Sequence, residues 1–194
     1  VTGLDTLAVL IGLGAFALLY QLSGGLKAVA LTDIVQVTLL VLGGLIIAGL
    51  TLSKIGGEAN ITGFADGFNK LRASFPEHFH MILDKSSEHY KDLPGIAVLV
   101  GGMWIMNISY WGFNQYIIQR ALAAKSLVEA QKGIAFAAYL KLLMPLIVVV
   151  PGMAALILAP GLPKPDQAYP QMMTLLPTGL LGLVFVALTF AVIS

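Results

Sequence analysis

Residues 103–120 read MWIMNISYWGFNQYIIQR, a run whose flanks suit lipid and whose middle does not. Asn107, Asn114, Ser109, the Tyr110–Trp111 pair, Gln115 and Gln119 interrupt an otherwise apolar segment. A helix that only had to sit in a bilayer would exclude nearly all of them, because polar groups in hydrocarbon need partners. Asn107, Tyr110, Trp111 and Asn114 fall at i, i+3, i+4 and i+7, which is one face of a helix. That face is directed at protein or at a water-filled cavity. Gly101, Gly102 and Gly112 lie close by and Ser109 can satisfy a freed backbone group, so local unwinding is expected there. The competing account is a packed polar interface with the aromatics as interfacial anchors. It fits poorly, since anchors belong near the headgroups and Tyr110 reads deeper.

The whole chain supports a membrane setting. Its 194 residues are 58% hydrophobic and 11% charged, with a mean hydropathy of +0.89, whereas soluble domains carry about 25% charged residues. Residues 54–94 hold 11 of the 21 charged residues and all three histidines. The rest divides into apolar blocks, each long enough to cross a hydrocarbon core of roughly 30 Å. The blocks lie at 4–21, 28–52, 95–119, 133–158 and from 178 onward. The expected fold is therefore all-α and integral to the membrane, with five transmembrane helices. No signal-peptide pattern precedes the first block and the last one stops inside a span, so the chain is expected to be a piece of a longer protein. The absence of cysteine excludes disulfides and thiolate metal sites, and the net charge of +1 without a basic stripe gives no hint of nucleic acid.

Orientation follows from the short joints. Lys27 lies in the first, and Arg120, Lys125 and Lys132 against Glu129 in the third. Their positive excess puts both on the cytoplasmic side and leaves 54–94 outside. Within that loop, Phe64, Phe68, Leu71 and Phe75 have helical spacing, as in a short amphipathic helix on a membrane or protein surface. His78 and His80 form an H-x-H pair, but no third ligand at suitable spacing makes it a metal site.

Three further positions carry chemistry. Lys141, in AAYLKLLMPL, sits at the centre of a span, where a lysine costs about 2.5–3.5 kcal/mol and implies a function. At 1.5 Å per residue it lies about 12 Å from residue 133, and Tyr110 about 14 Å from residue 119, so both fall near the midplane. Pro145 and Pro151 follow on the same helix and free carbonyls there. Asp33 lies in the cytoplasmic third of its span, where it would either attract a cation or pair with Lys27 near the helix entry. Ala191 and Ser194 share a face at the end of the chain, and a carbonyl and a hydroxyl are oxygen ligands that suit a small hard cation. An aromatic face beside amides and an amine suits a neutral polyhydroxyl ligand; the same set would serve an amino acid or a small carboxylate.

The runs YWGFNQYIIQRALAAKSLVEAQKG (110–133), GGLKAVALTDIVQV (24–37) and LPGIAVLVGGMW (93–104) closely resemble the sodium:solute symporter family, most of all its bacterial sodium/galactose and sodium/glucose branch. W-G-x-N-Q-x-x-x-Q-R at 111–120 is the most specific of these motifs. The resemblance implies a five-plus-five inverted-repeat transporter fold with ligands bound at broken helices near the midplane. On that basis residues 1–53 would be the last two helices of the first repeat, 54–94 an extracellular or periplasmic loop, and 95–194 the first three helices of the second repeat. It further implies that Tyr110 is an inner-gate aromatic with Trp111 beside it, and that Asn107 and Lys141 bond sugar hydroxyls. Ala191 and Ser194 would bind sodium, and Asp33 would stand on its release path. The implied activity is sodium-driven import of galactose or glucose by a multi-pass protein of the bacterial plasma membrane. Its partners would be sugar, sodium, membrane lipid and the remaining helices of the transporter, with no covalent cofactor. Proline, pantothenate or inositol are the alternative solutes; a membrane-embedded enzyme using Lys141 or a structural helical subunit are the remote readings.

Overall fold

The computed structural model describes residues 5–57, 63–80, 82–87, 90, 95–96 and 98–193. The described residues fold as helices joined by short turns, and they divide into two compact units: 1–69 with 144–194, and 70–143. Three stretches are long and apolar enough to cross a membrane: Leu7–Gly25, Val29–Gly56 and Leu127–Leu158. Val98–Phe113 and Thr178–Ala191 are shorter apolar helices.

In the first unit, α1 (Thr6–Gly56) is one helical run broken only at Gly25, whose φ of 59° and ψ of −169° lie outside the helical region. The expected six-residue joint between the first two spans is thus reduced to a single residue. No proline stands between Gln21 and Ala28 to stop the helix, and Gly25, having no Cβ, takes the positive φ without a clash. Asp5 caps the start by accepting from the Ala8 N–H at 3.2 Å. Gly57, at φ 93°, ends the helix and donates to the carbonyls of Lys54 and Ser53. The second leg of α1 packs on α8 (Thr178–Ile193), on α6 (Val150–Leu158) and on the short α7 (Ala168–Met173). Their common core is Ile47, Ala155, Met172, Met173, Leu176 and Val184. Glycines set how closely they approach: a Cβ at Gly43 would collide with Val184, and one at Gly44 with Ile147. Burial raises the Tyr169 phenol, at this junction, above its ordinary pKa.

The residues that the sequence singles out for substrate lie in the second unit. Its α3 (Met103–Ile108) is flanked by two π-helical turns, Val98–Gly102 and Ser109–Phe113. Asn114 follows with extended backbone (φ −76°, ψ 108°), and α4 (Gln115–Leu122) resumes beyond it. The third apolar block, read as one helix over 95–119, is therefore broken at Asn114. α5 (Leu127–Met144) begins six residues before the expected residue 133. The reason is local: Ser126 Oγ accepts from the Glu129 N–H at 3.3 Å, in an S-x-x-E pattern that starts a helix. The helix then runs through a third π-helical turn, Pro145–Val149, into α6. Proline has no N–H to give the carbonyl four residues earlier, which is that of Lys141, so the regular ladder cannot pass this point. α2 (Phe64–Ser74) occupies the phase marked by Phe64, Phe68 and Leu71, and a 3-10 turn at Pro76–Phe79 follows.

Candidate functional site

The strongest constellation among the described residues forms where the π-helical turn of the third block meets α5. The Lys141 ammonium stands 4.7 Å from the ring centroid of Tyr110 and 4.6 Å from that of Trp111. The two rings meet edge-on, 5.5 Å apart at 83°. Each ring thus turns its electron-rich face to the same cation. Such contacts contribute about 0.5–1 kcal/mol where water competes and about 2 kcal/mol where it does not. For a lysine in a span this matters, because the rings are the only charge-stabilising surface that neutral, apolar-bodied side chains can offer. Lys141 stays open on its remaining side, and Tyr110 is 45% exposed. The amine can therefore still reach a ligand.

Two consecutive residues can cup one cation because of the backbone beneath them. Tyr110 and Trp111 sit on the π-helical turn Ser109–Phe113, closed by the Asn114 N–H donating to the Ser109 carbonyl at 3.0 Å. The wider turn ends the helix, and Asn114, last on the predicted face, follows it with extended backbone. Asn107, on the regular part of α3, bends back and donates from Nδ2 to the Met103 carbonyl at 2.8 Å. Its Oδ1 is the end of that amide turned away from this bond.

Trp111 also lines a cleft of about 350 Å³ within the same unit. Ile117, Ile118, Ile134 and a row of alanines make its walls, while Arg120 and Glu129 stand among its polar members. Glu129 is paired with Lys132 at 3.0 Å. An open groove is lined by Ile105, Met106, Ser109, Tyr110, Phe113 and Asn114, so two members of the predicted face, Tyr110 and Asn114, border one space.

The residues assigned to sodium fall in the first unit. Ala191 is in the last described turns of α8 and is exposed. Ser194 lies outside the described residues, so its half of the pair has no geometry here. Asp33 is half-buried in the second leg of α1, next to Thr32, whose hydroxyl donates to the Val29 carbonyl at 2.9 Å. The Lys27 side chain, the alternative partner of Asp33, is likewise outside what is described. Gln36, one turn beyond Asp33, is only 7% exposed, which makes it one of the few buried polar residues among those described. In the loop, the His78 ring packs edge-on against Phe75 at 5.4 Å.

Two features escaped sequence reasoning. One is how closely Trp111 and Tyr110 share the Lys141 cation, since the sequence puts both rings on one face beside an amine without fixing the distance between them. The other is the π-helical form of the backbone at Ser109–Phe113 and Pro145–Val149, where the sequence marked only unwinding near Gly112 and freed carbonyls at Pro145.

Comparison with known proteins bears on the whole chain. The family model described as the sodium:solute symporter family matches residues 1–194. The sodium/glucose cotransporter of Vibrio parahaemolyticus is 46% identical, over 100% of this chain and 38% of its own length. An uncharacterized symporter of Escherichia coli K12, YidK, is 38% identical over 94% of this chain and 30% of its own. The human sodium/myo-inositol cotransporter 2 is 35% identical over 98% of this chain and 32% of its own. The chain thus spans about a third of the length of these relatives.

Proposed function

Because this chain belongs to the sodium:solute symporter family, we propose that it is the part of a sodium-coupled sugar importer that carries the sugar-facing side of the inner gate. Galactose or glucose is the proposed cargo and sodium the co-transported ion. The observation that carries the sugar assignment is the Lys141 ammonium at 4.6 and 4.7 Å from the Trp111 and Tyr110 rings. Rings take the C–H face of a pyranose, and an ammonium with three donors takes its hydroxyl oxygens. Asn107 adds an amide on the preceding turn.

In this reading Tyr110 stacks on the sugar and closes its way to the cytoplasm, with Trp111 as its neighbour. The Ala191 carbonyl and the Ser194 hydroxyl contribute part of a sodium site, and Asp33 guides the ion as it leaves. Sodium entering down a membrane potential supplies about 2.3 kcal/mol per 100 mV for each charge. Coupling requires that sodium stabilise the sugar-binding state, so each ligand raises the affinity for the other by the same factor. The helices belong to a five-plus-five inverted repeat in the bacterial plasma membrane: residues 1–53 close the first repeat, 54–94 lie outside, and 95–194 open the second. The remaining ligands come from the rest of the transporter.

The test is uptake of labelled galactose by the complete protein in proteoliposomes, with and without a sodium gradient. Uptake should require sodium and be suppressed by unlabelled galactose or glucose, and Lys141→Ala should lower it at least about tenfold, the loss of one charge-assisted contact. Suppression by proline but not by galactose would reject the sugar. A second reading, myo-inositol, is favoured by the relatives that carry that name. It is a ring of hydroxyls with the same needs, and its rank as a competitor in the same assay decides between them.

A further inference from the structure

We propose that Lys141 is the latch of the inner gate: with no sugar bound, its ammonium holds the Tyr110 and Trp111 rings in place, and sugar hydroxyls release them by taking the cation over. The inference rests on the transport reading and extends it from binding to control of the gate.

Three observations carry it. The ammonium is almost equidistant from the two centroids, at 4.7 and 4.6 Å, so it is shared by both rings. Both rings stand on the π-helical turn that ends at the break at Asn114, a form of helix that is rare overall but frequent at functional sites. Trp111 both meets the amine, at 4.6 Å, and lines the cleft of about 350 Å³, so moving it alters the cleft. A ring face attracts a cation only through its quadrupole, whereas a hydroxyl oxygen accepts a hydrogen bond from it. An arriving polyol therefore outcompetes the rings for the N–H donors. It also offers its own C–H face to Tyr110. Once the cation has turned away, Trp111 has lost one of its holds, and its edge-on contact with Tyr110 moves with the ring that the sugar takes. An empty site stays shut and an occupied one is free to open, which is what prevents sodium from slipping through without sugar.

The experiment is sodium leak without sugar, measured with a sodium-sensitive dye in proteoliposomes holding the complete protein, beside sodium-dependent galactose uptake. Lys141→Met, which keeps the stem and loses the charge, should raise the sugar-free leak about tenfold, a change of about 1.4 kcal/mol. Trp111→Leu should do the same, and the double variant should leak no more than either single one, since both remove one contact. Lys141→Arg keeps a cation for the rings, so its leak should stay low even as its KM for sugar rises. Should Lys141→Met fail to reach the membrane, Trp111→Leu against Lys141→Arg makes the same comparison. A leak unchanged from wild type in Lys141→Met and Trp111→Leu, with only the sugar KM raised, overturns the latch and leaves Lys141 a plain hydroxyl contact. Failure of the function reading looks different: wild-type protein that takes up no galactose, whatever the leak of the variants.

Discussion

Lys141 is the residue at which composition, backbone and chemistry meet. Its side chain stands over two rings at 4.6 and 4.7 Å, and its carbonyl is the one that Pro145 leaves without a regular helical donor. A lysine amid apolar helix was conspicuous in the sequence, as was the Tyr110–Trp111 pair. That one ammonium stands within 4.7 Å of both ring centroids was not, because spacing puts the two rings on one face and the lysine at their depth but sets no distance between helices. Tyr110→Phe keeps the ring, so in the complete protein it should retain most sodium-dependent uptake, whereas Tyr110→Ala should lose at least about tenfold, by analogy with the removal of a desolvated aromatic contact. Initial rates with a sodium gradient check both. Uptake that survives Tyr110→Ala would remove the aromatic gate from the mechanism.

The helices show where sequence signals reach and where they stop. Ser126 and Glu129 start α5 by a capping pair that is plain in S-L-V-E, and it shortens the joint that hydropathy alone drew too long. Ser126→Ala should cost about 1 kcal/mol through the lost cap, seen as a lower unfolding midpoint of the purified complete protein. The break at Asn114 follows the glycines and polar residues around it, and the turn at Gly25 needs the one residue type that takes a positive φ freely. Close packing is less legible, since a glycine gives no hint of what it faces. A Cβ at Gly67 would meet the Leu52 carbonyl, a backbone atom that cannot swing aside. Gly67→Ala should therefore destabilise by about 1–3 kcal/mol, while alanine at Gly49, with nothing near it, should not. Equal unfolding midpoints for the two variants would show that the α1–α2 contact is looser than drawn.

At the scale of the molecule, a family match along the whole of residues 1–194 meets relatives of more than twice that length. Expressed alone, the 194 residues should show no sodium-dependent uptake in liposomes, while the complete protein should; uptake by the isolated chain would mean that its own helices suffice for both sites. The membrane setting, the helical class, the polar centre of the third block and the solitary lysine were determined by the sequence itself. Hydropathy is a sum over local residues, and an ionisable group in lipid is costly wherever it lies. Tertiary structure alone decided how closely the two rings approach the cation, that Val184 and Ile147 press against Gly43 and Gly44, and that Gln36 is buried. These depend on the approach of segments far apart in the chain, and no local pattern of residues encodes it.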